Sequence, residues 1–268
     1  MAATSRTSTT DRVPMDTMRK TALVAGVLYL ITFLASIPAV FLLGPVLTDP
    51  DYIISAGADT QVTLGAFLDL VNALACIGTA VALFSVVKRQ HEGMALGFVT
   101  TRMFEAAVIV IGILSILSIV TLRQPGATGV EATSLVITGQ ALVAVRDWTF
   151  ILGPGMAGLN ALLLGTLMYR SRLVPRIIPT LGLIGAPIFI SSQIGLIFGI
   201  NEVTSLWSAI GLVPIFLWEL FLGLWMTFKG FQRSAPLMVE AAAQAASLDG
   251  SATSVPSRSS VAATAGVA

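Results

Sequence analysis

The sequence predicts an all-α, polytopic membrane protein, a bundle of six transmembrane helices with both termini in the cytoplasm. Hydrophobic residues make up 55% of the 268 residues and charged residues only 11%, whereas about 25% of the residues in a soluble domain are charged. Six apolar stretches are long enough to cross a bilayer, and Lys and Arg collect on alternate connections between them. These observations exclude a typical soluble protein.

Each apolar stretch reaches the roughly 20 residues that span about 30 Å of hydrocarbon. The first is too long for the apolar core of a signal peptide and follows a polar tail, so we interpret it as a retained span. Residues 1–20 are predicted to be a polar disordered tail, 21–232 the membrane domain and 233–268 an Ala/Ser-rich disordered tail. The predicted spans are 21–44, 63–86, 95–122, 147–169, 177–200 and 205–228.

The distribution of basic residues predicts the orientation, because Lys and Arg collect on the cytoplasmic side of membrane proteins. Twelve of the fifteen lie in the tails and in the second and fourth loops. The first, third and fifth loops hold only Arg123 and Arg146, together with several acids. We therefore expect a multi-pass protein of the cytoplasmic membrane. The twelve are Arg6, Arg12, Arg19, Lys20, Lys88, Arg89, Arg170, Arg172, Arg176, Lys229, Arg233 and Arg258.

Three regions depart from plain spanning helices. The third loop, 123–146, contains TSLVITGQALVAV, which is apolar enough for a short interfacial helix on the outer face but too short to span. The fourth span contains Gly153-Pro154-Gly155 and the sixth contains Pro214. Proline removes a backbone donor, so both helices are expected to kink there.

Composition also limits cofactors and partners. The net charge is +1 and no basic stripe is present, so a nucleic-acid partner is not expected. Cys76 is the single cysteine and His91 the single histidine, so no disulfide framework, metal site or cofactor is predicted. The expected partners are the lipid bilayer, a small solute or an anionic lipid, and a second copy of the chain, because Gly93/Gly97 and Gly195/Gly199 suit close helix contact.

Polar side chains on four predicted helices share one depth. At 1.5 Å per residue each lies roughly 10–15 Å from the inner end of its helix. Arg102 and Glu105, three residues apart, occupy one face and could form an ion pair. Ionisable groups inside spans are costly and mark functional sites, so this layer is the main candidate site, although buried charges can also serve only to fix helix register. Its members are Tyr29, Arg102, Glu105, Asn160 and Glu219.

The charges predicted inside the spans do not balance. Arg102 is one cation against the acids Asp69, Glu105 and Glu219, which leaves a formal charge of −2. Burial disfavours charged groups. Some of the carboxyls should therefore be protonated, or should hold a cation or a cationic group.

A polar stripe runs along the second predicted helix, because Asp69, Asn72, Cys76 and Thr79 are spaced by 3, 4 and 3 residues. Together with Gln193 on the fifth helix, the stripe could line a polar cavity that opens outward. The alternative is hydrogen bonding between helices, which Ser, Thr, Asn and Gln commonly provide in membranes.

The fourth loop, YRSRLVPR at 169–176, concentrates Arg170, Arg172 and Arg176 at the inner surface. Basic residues at such a position help to fix the orientation of the protein in the membrane. They can also bind an anionic lipid head group or a phosphorylated substrate, because the guanidinium fork matches phosphate geometry.

Several motifs occur in one order along the chain: TRMFEAA, RDWTFILGPG, LNALLLG, YRSRLVPR, LGLIGAP and WELFLGLW. Together they resemble a bacterial family of six-helix membrane proteins known as domain-of-unknown-function family 4386. The resemblance covers about 20–232. It implies a location in the cytoplasmic membrane and brings no established reaction, substrate or cofactor.

Three function classes fit the sequence. The first is a binding or transport protein whose polar layer recognises a small solute or relays protons, and it predicts a cavity that reaches Glu105 and Glu219. The second is a non-catalytic sensor or assembly factor, which predicts a dry core with Arg102 fully paired. The third is an intramembrane enzyme that uses Glu105 and Glu219 as acid and base on a lipid or peptide.

Overall fold

The computed structural model describes residues 17–57 and 59–240, and eight α-helices account for most of them. The predictions for residues 1–16 and 241–268 lie outside the described residues. The helices are α1 (Thr17–Leu42), α2 (Gly44–Thr48), α3 (Asp59–Val87), α4 (Glu92–Leu122), α5 (Gly129–Leu152), α6 (Ala157–Ser171), α7 (Ile177–Ile197) and α8 (Leu206–Phe228), with a 3₁₀ turn at Pro154–Met156 between α5 and α6.

Within the described residues, six helical segments are long and apolar enough to cross a membrane, which confirms the predicted all-α, six-span architecture. Five of them are α1, α3, α4, α7 and α8, and the sixth is α5 and α6 taken together with the turn between them. α2 is a short helix after the first span, where Pro45 supplies the preset backbone of a first helical turn.

The fourth segment differs from the prediction, because it starts at Gly129 rather than near 147. Residues expected to form a separate interfacial helix belong to α5, which runs without interruption to Leu152. The whole segment has 43 residues, about twice the number needed to cross the hydrocarbon. Arg146, predicted to lie in a loop, is therefore inside a helix.

The expected irregularity at Gly153-Pro154 is a change of helix type. The Gly153 N–H still donates to the Thr149 carbonyl oxygen at 2.9 Å, whereas Pro154 has no N–H to donate to an earlier carbonyl. The chain takes one 3₁₀ turn and resumes as α6. Pro214, in contrast, lies inside a continuous α8.

The spanning segments pack as a closed ring in chain order. α1 contacts α3, α3 contacts α4, α4 contacts α5 and α6, α6 contacts α7, α7 contacts α8, and α8 returns to α1. One interior therefore receives side chains from every segment.

The start of α1 and the end of α8 lie at the same side of the ring, which we call the terminal face. Arg19 donates from Nη1 to the Met226 carbonyl oxygen at 2.9 Å and from Nη2 to that of Thr227 at 2.7 Å. These carbonyl oxygens lie in the last turn of α8, where no further helical N–H is available to bond them. A cation is favourable at this end of a helix. Nearby, a Cβ on Gly26 would lie 2.8 Å from the Gly223 carbonyl oxygen, so α1 and α8 meet backbone to backbone.

Arg123 organises the opposite face, which holds the loops α1–α3, α4–α5 and α7–α8. Its Nε donates to the Tyr52 carbonyl oxygen at 3.1 Å, and its guanidinium also binds Asp59 and the Ser55 carbonyl oxygen. Tyr52 donates its hydroxyl to Asp59 at 3.0 Å. Burial, aided by this bond, raises the pKa of Tyr52 to about 12. The phenol therefore stays a proton donor, and the loop is fixed to α3 and α4.

Candidate functional site

Arg102 on α4 is the centre of a charged network in the ring interior. The residue is 2% exposed. Its Nη1 donates to Glu105 Oε2 at 3.0 Å, its Nη2 donates to the Tyr29 hydroxyl at 3.1 Å, and Nη2 also pairs with Glu219. The guanidinium carbon lies 5.1 Å from the centre of the Tyr29 ring. Three helices, α1, α4 and α8, are joined through this one side chain.

Asn160 connects α6 to the same network. Its Nδ2 donates to Glu105 Oε2 at 2.8 Å, and its Oδ1 accepts from the Thr101 hydroxyl. The structure thus brings together the five residues of the predicted layer, Tyr29, Arg102, Glu105, Asn160 and Glu219, which we call the polar cluster. Sequence reasoning missed Thr101. Its position directly before Arg102 in TTR was the only available signal.

The two carboxylates of the polar cluster have different surroundings. Glu105 accepts from Arg102 and Asn160 and its side chain is 7% exposed. Glu219 pairs with Arg102 and its side chain is 14% exposed. With both ionised, the cluster of one cation and two anions carries one net negative charge. Glu219 is the acid that has room for another partner.

A cavity of about 300 Å³ reaches the polar cluster and is called the central cavity. Arg102, Glu105 and Glu219 form its floor, and four aromatic rings, Phe33, Phe150, Phe189 and Phe216, are among its walls. On α1 it extends from Thr32 to Val40, so it lies between the cluster and the opposite face.

The central cavity also borders the lipid-facing surface of the ring. Ile37 on α1 and Leu212 on α8 line it, yet they are 45% and 51% exposed. The cavity therefore opens at the side of the ring beside α1 and α8.

The four residues of the predicted polar stripe on α3 do not share one site. Asn72 and Cys76 line the central cavity, and Cys76 Sγ accepts from Arg102 Nη1 at 3.7 Å. Thr79 is fully buried and donates to the Cys76 carbonyl oxygen at 2.7 Å. Asp69 instead pairs with Arg146, as described next.

Arg146 corrects the predicted charge balance. Its Nη2 lies 2.8 Å from Asp69 Oδ2, and both residues are 6% exposed. The sequence assigned Arg146 to a loop, although the turn-free stretch 129–152 could have placed it on a helix. Two buried arginines thus face Asp69, Glu105 and Glu219, which leaves −1 rather than −2.

Gln193 on α7 lies beside the break between α5 and α6. A Cβ on Gly155 would be 3.7 Å from its Cγ. Its Oε1 is buried without a donor among the described residues. Gln193 is absent from the residues that line the central cavity, so it does not share a wall with the α3 stripe.

The three arginines in the last turn of α6 and just after it are exposed at the terminal face but have different neighbours. Arg172 ends α6 with φ 57°, and the guanidinium carbon of Arg176 lies 4.8 Å from the centre of the Tyr169 ring. Arg170 borders a second cavity. The three do not form one cluster.

The ring of six spans around a buried, charged cluster defines the class: an integral membrane protein with an intramembrane polar site. The chain belongs to the family described as Domain of unknown function (DUF4386), which matches residues 24–230. This match confirms the resemblance carried by the motifs. No curated protein and no solved structure matches the chain.

Proposed function

We propose that the protein binds a small, largely apolar solute with one cationic group in the central cavity. The observation that carries the proposal is the contact of a cavity of about 300 Å³ with Glu219, in a cluster with one surplus negative charge. A buried net charge is costly. One monovalent cationic group at Glu219 neutralises it.

The walls of the cavity support the apolar part of this ligand. Its volume has room for about ten water-sized groups. The rings of Phe33, Phe150, Phe189 and Phe216 offer apolar surface and negative ring faces, and a cation can lie favourably over such faces. The sideways access beside Ile37 suits a solute that first partitions into the bilayer.

A proton can replace the cationic group, because it neutralises the same surplus charge. Binding of the solute should therefore release a proton and weaken as the pH falls. This exchange is the basis on which the site could support proton-linked transport. The excess of Lys and Arg at the terminal face supports the cytoplasmic membrane as the location, with that face in the cytoplasm.

The other two function classes have weaker support. A non-catalytic factor is supported by the bonds from Arg102 to Tyr29, Glu105 and Glu219, which join three helices. It leaves the cavity without a role. An enzyme with Glu105 and Glu219 as acid and base is supported only by the presence of both carboxylates in the wall of the central cavity.

Calorimetric titration of the detergent-solubilised full chain with benzyltrimethylammonium tests the proposal. This probe combines one permanent cation with one phenyl ring. We expect saturable binding to the wild type and a decrease in affinity of at least about tenfold in Glu219→Gln, which corresponds to about 1.4 kcal/mol. Glu202→Gln is the matched control, because Glu202 is an exposed acid in the α7–α8 loop.

Titration in two buffers of different ionisation enthalpy counts the protons released. Release of protons by the wild type, and its loss in Glu219→Gln, support the exchange of a proton for the solute at the polar cluster. The proposal is overturned if the probe does not bind, or if it binds Glu219→Gln as tightly as the wild type.

A further inference from the structure

A second cavity, of about 280 Å³, lies at the terminal face and is separate from the polar cluster. The start of α4, the end of α6 and the segment after α8 enclose it. We call it the terminal-face cavity. It is lined by Gln90, His91, Met94, Leu167, Arg170, Ser171, Pro236 and Leu237.

The segment after α8 forms a fixed wall of this cavity. The Gln232 N–H donates to the Leu173 carbonyl oxygen at 2.8 Å. Phe231 is 6% exposed and Ala235 is fully buried in the main apolar core. Pro236 and Leu237 are therefore held against the end of α6.

The polar groups of the terminal-face cavity are mostly hydrogen-bond donors. His91 Nδ1 accepts from the Met94 N–H at 3.1 Å, which leaves the ring proton on Nε2. Gln90 Nε2 is buried and has no acceptor among the described residues. Arg170 forms no ion pair with a carboxylate in the described part of the chain.

The lining residues that the structure describes include no acid. Glu92, the acid nearest in sequence, is exposed and is not part of the wall. A buried donor without an acceptor costs free energy until an acceptor arrives. A cavity whose described lining offers a guanidinium and other donors, and no carboxylate, is suited to bind an anion.

We propose that the terminal-face cavity binds a phosphate group. The cavity lies at the ends of α4 and α6, where a spanning helix leaves the hydrocarbon and meets the lipid head groups. The Arg170 guanidinium supplies the charge and a planar fork that matches phosphate oxygens, while Gln90 and His91 supply further N–H donors. Met94, Leu167 and Leu237 offer apolar surface to the rest of the ligand. The head group of an anionic phospholipid and free phosphate share this chemistry.

Thermal unfolding of the full chain in detergent tests this site, with phosphatidylglycerol, phosphatidylcholine and inorganic phosphate titrated in turn. We expect phosphatidylglycerol to raise Tm saturably in the wild type and phosphatidylcholine to have little effect. Arg170→Gln should weaken the apparent affinity at least about tenfold. Arg172→Gln, an exposed arginine two residues away, is the matched control and should match the wild type. Gln90→Met removes a donor without changing charge and should also weaken binding.

The titrations separate the two sources of phosphate. Saturation by phosphatidylglycerol alone assigns the site to a lipid, and saturation by inorganic phosphate assigns it to a soluble anion. Equal losses in Arg170→Gln and Arg172→Gln would indicate general surface attraction and overturn the proposal. Absence of stabilisation by either anion would overturn it as well.

Discussion

Replacing Arg102 with methionine is expected to lower the free energy of unfolding by about 3–5 kcal/mol. The substitution leaves Glu105 and Glu219 buried without their shared cation and removes a donor to Tyr29. Methionine has a similar volume, so the loss of packing is small. Denaturant titration in detergent, followed by Trp fluorescence, measures the change.

Rescue variants show whether the loss of stability in Arg102→Met comes from carboxylates left without a cation or from a general folding defect. Adding Glu105→Gln and Glu219→Gln to Arg102→Met removes both stranded carboxylates and should restore most of the lost stability. Arg102→Met with wild-type stability would show that the buried ion pairs contribute nothing and would contradict the geometry of the polar cluster.

The second large effect is expected at the other buried ion pair. Arg146→Met leaves the Asp69 carboxyl buried without its cation, at a cost of about 3–5 kcal/mol. Arg89→Met, at an exposed loop position, is the control and should change stability by less than about 0.5 kcal/mol. The same denaturant titration measures both variants.

Asp69→Asn should partly rescue Arg146→Met, because it removes the stranded carboxyl. The two single substitutions should be non-additive, as expected for residues in direct contact. Additive costs for Asp69→Asn and Arg146→Met would mean that the pair is not coupled.

The number of spans and the common depth of the polar residues could be predicted, because both depend on properties that repeat along one helix. Hydropathy located the six segments, and a rise of 1.5 Å per residue brought Glu105, Asn160 and Glu219 to one level. Their hydrogen bonds depend on how the helices rotate in the ring. A single helix pattern does not carry that information.

The parts that sequence missed arise from contacts between distant segments. Arg146 was counted as a loop charge, because the apolar stretch before it was judged too short to span. The terminal-face cavity beside His91 and Arg170 depends on the return of residues 236–237 to that face. The central cavity is lined by side chains from distant helices, and no local pattern indicates how those helices pack.

Protection of a cysteine in the central cavity from N-ethylmaleimide, a small neutral thiol reagent, tests the proposed binding site most directly. Cys76→Ser keeps an acceptor for Arg102, and Ser36→Cys then places the only thiol in the cavity wall. Ser115→Cys in the same background is the control, because Ser115 is 5% exposed and outside the cavity lining.

We expect the thiol at position 36 to react much faster than the thiol at 115, and benzyltrimethylammonium to slow the reaction at 36 in proportion to its occupancy. Adding Glu219→Gln should abolish the protection without changing the rate in the absence of the cation. Equal rates at the two positions, or a rate at 36 that the cation leaves unchanged, would contradict a ligand site at the polar cluster.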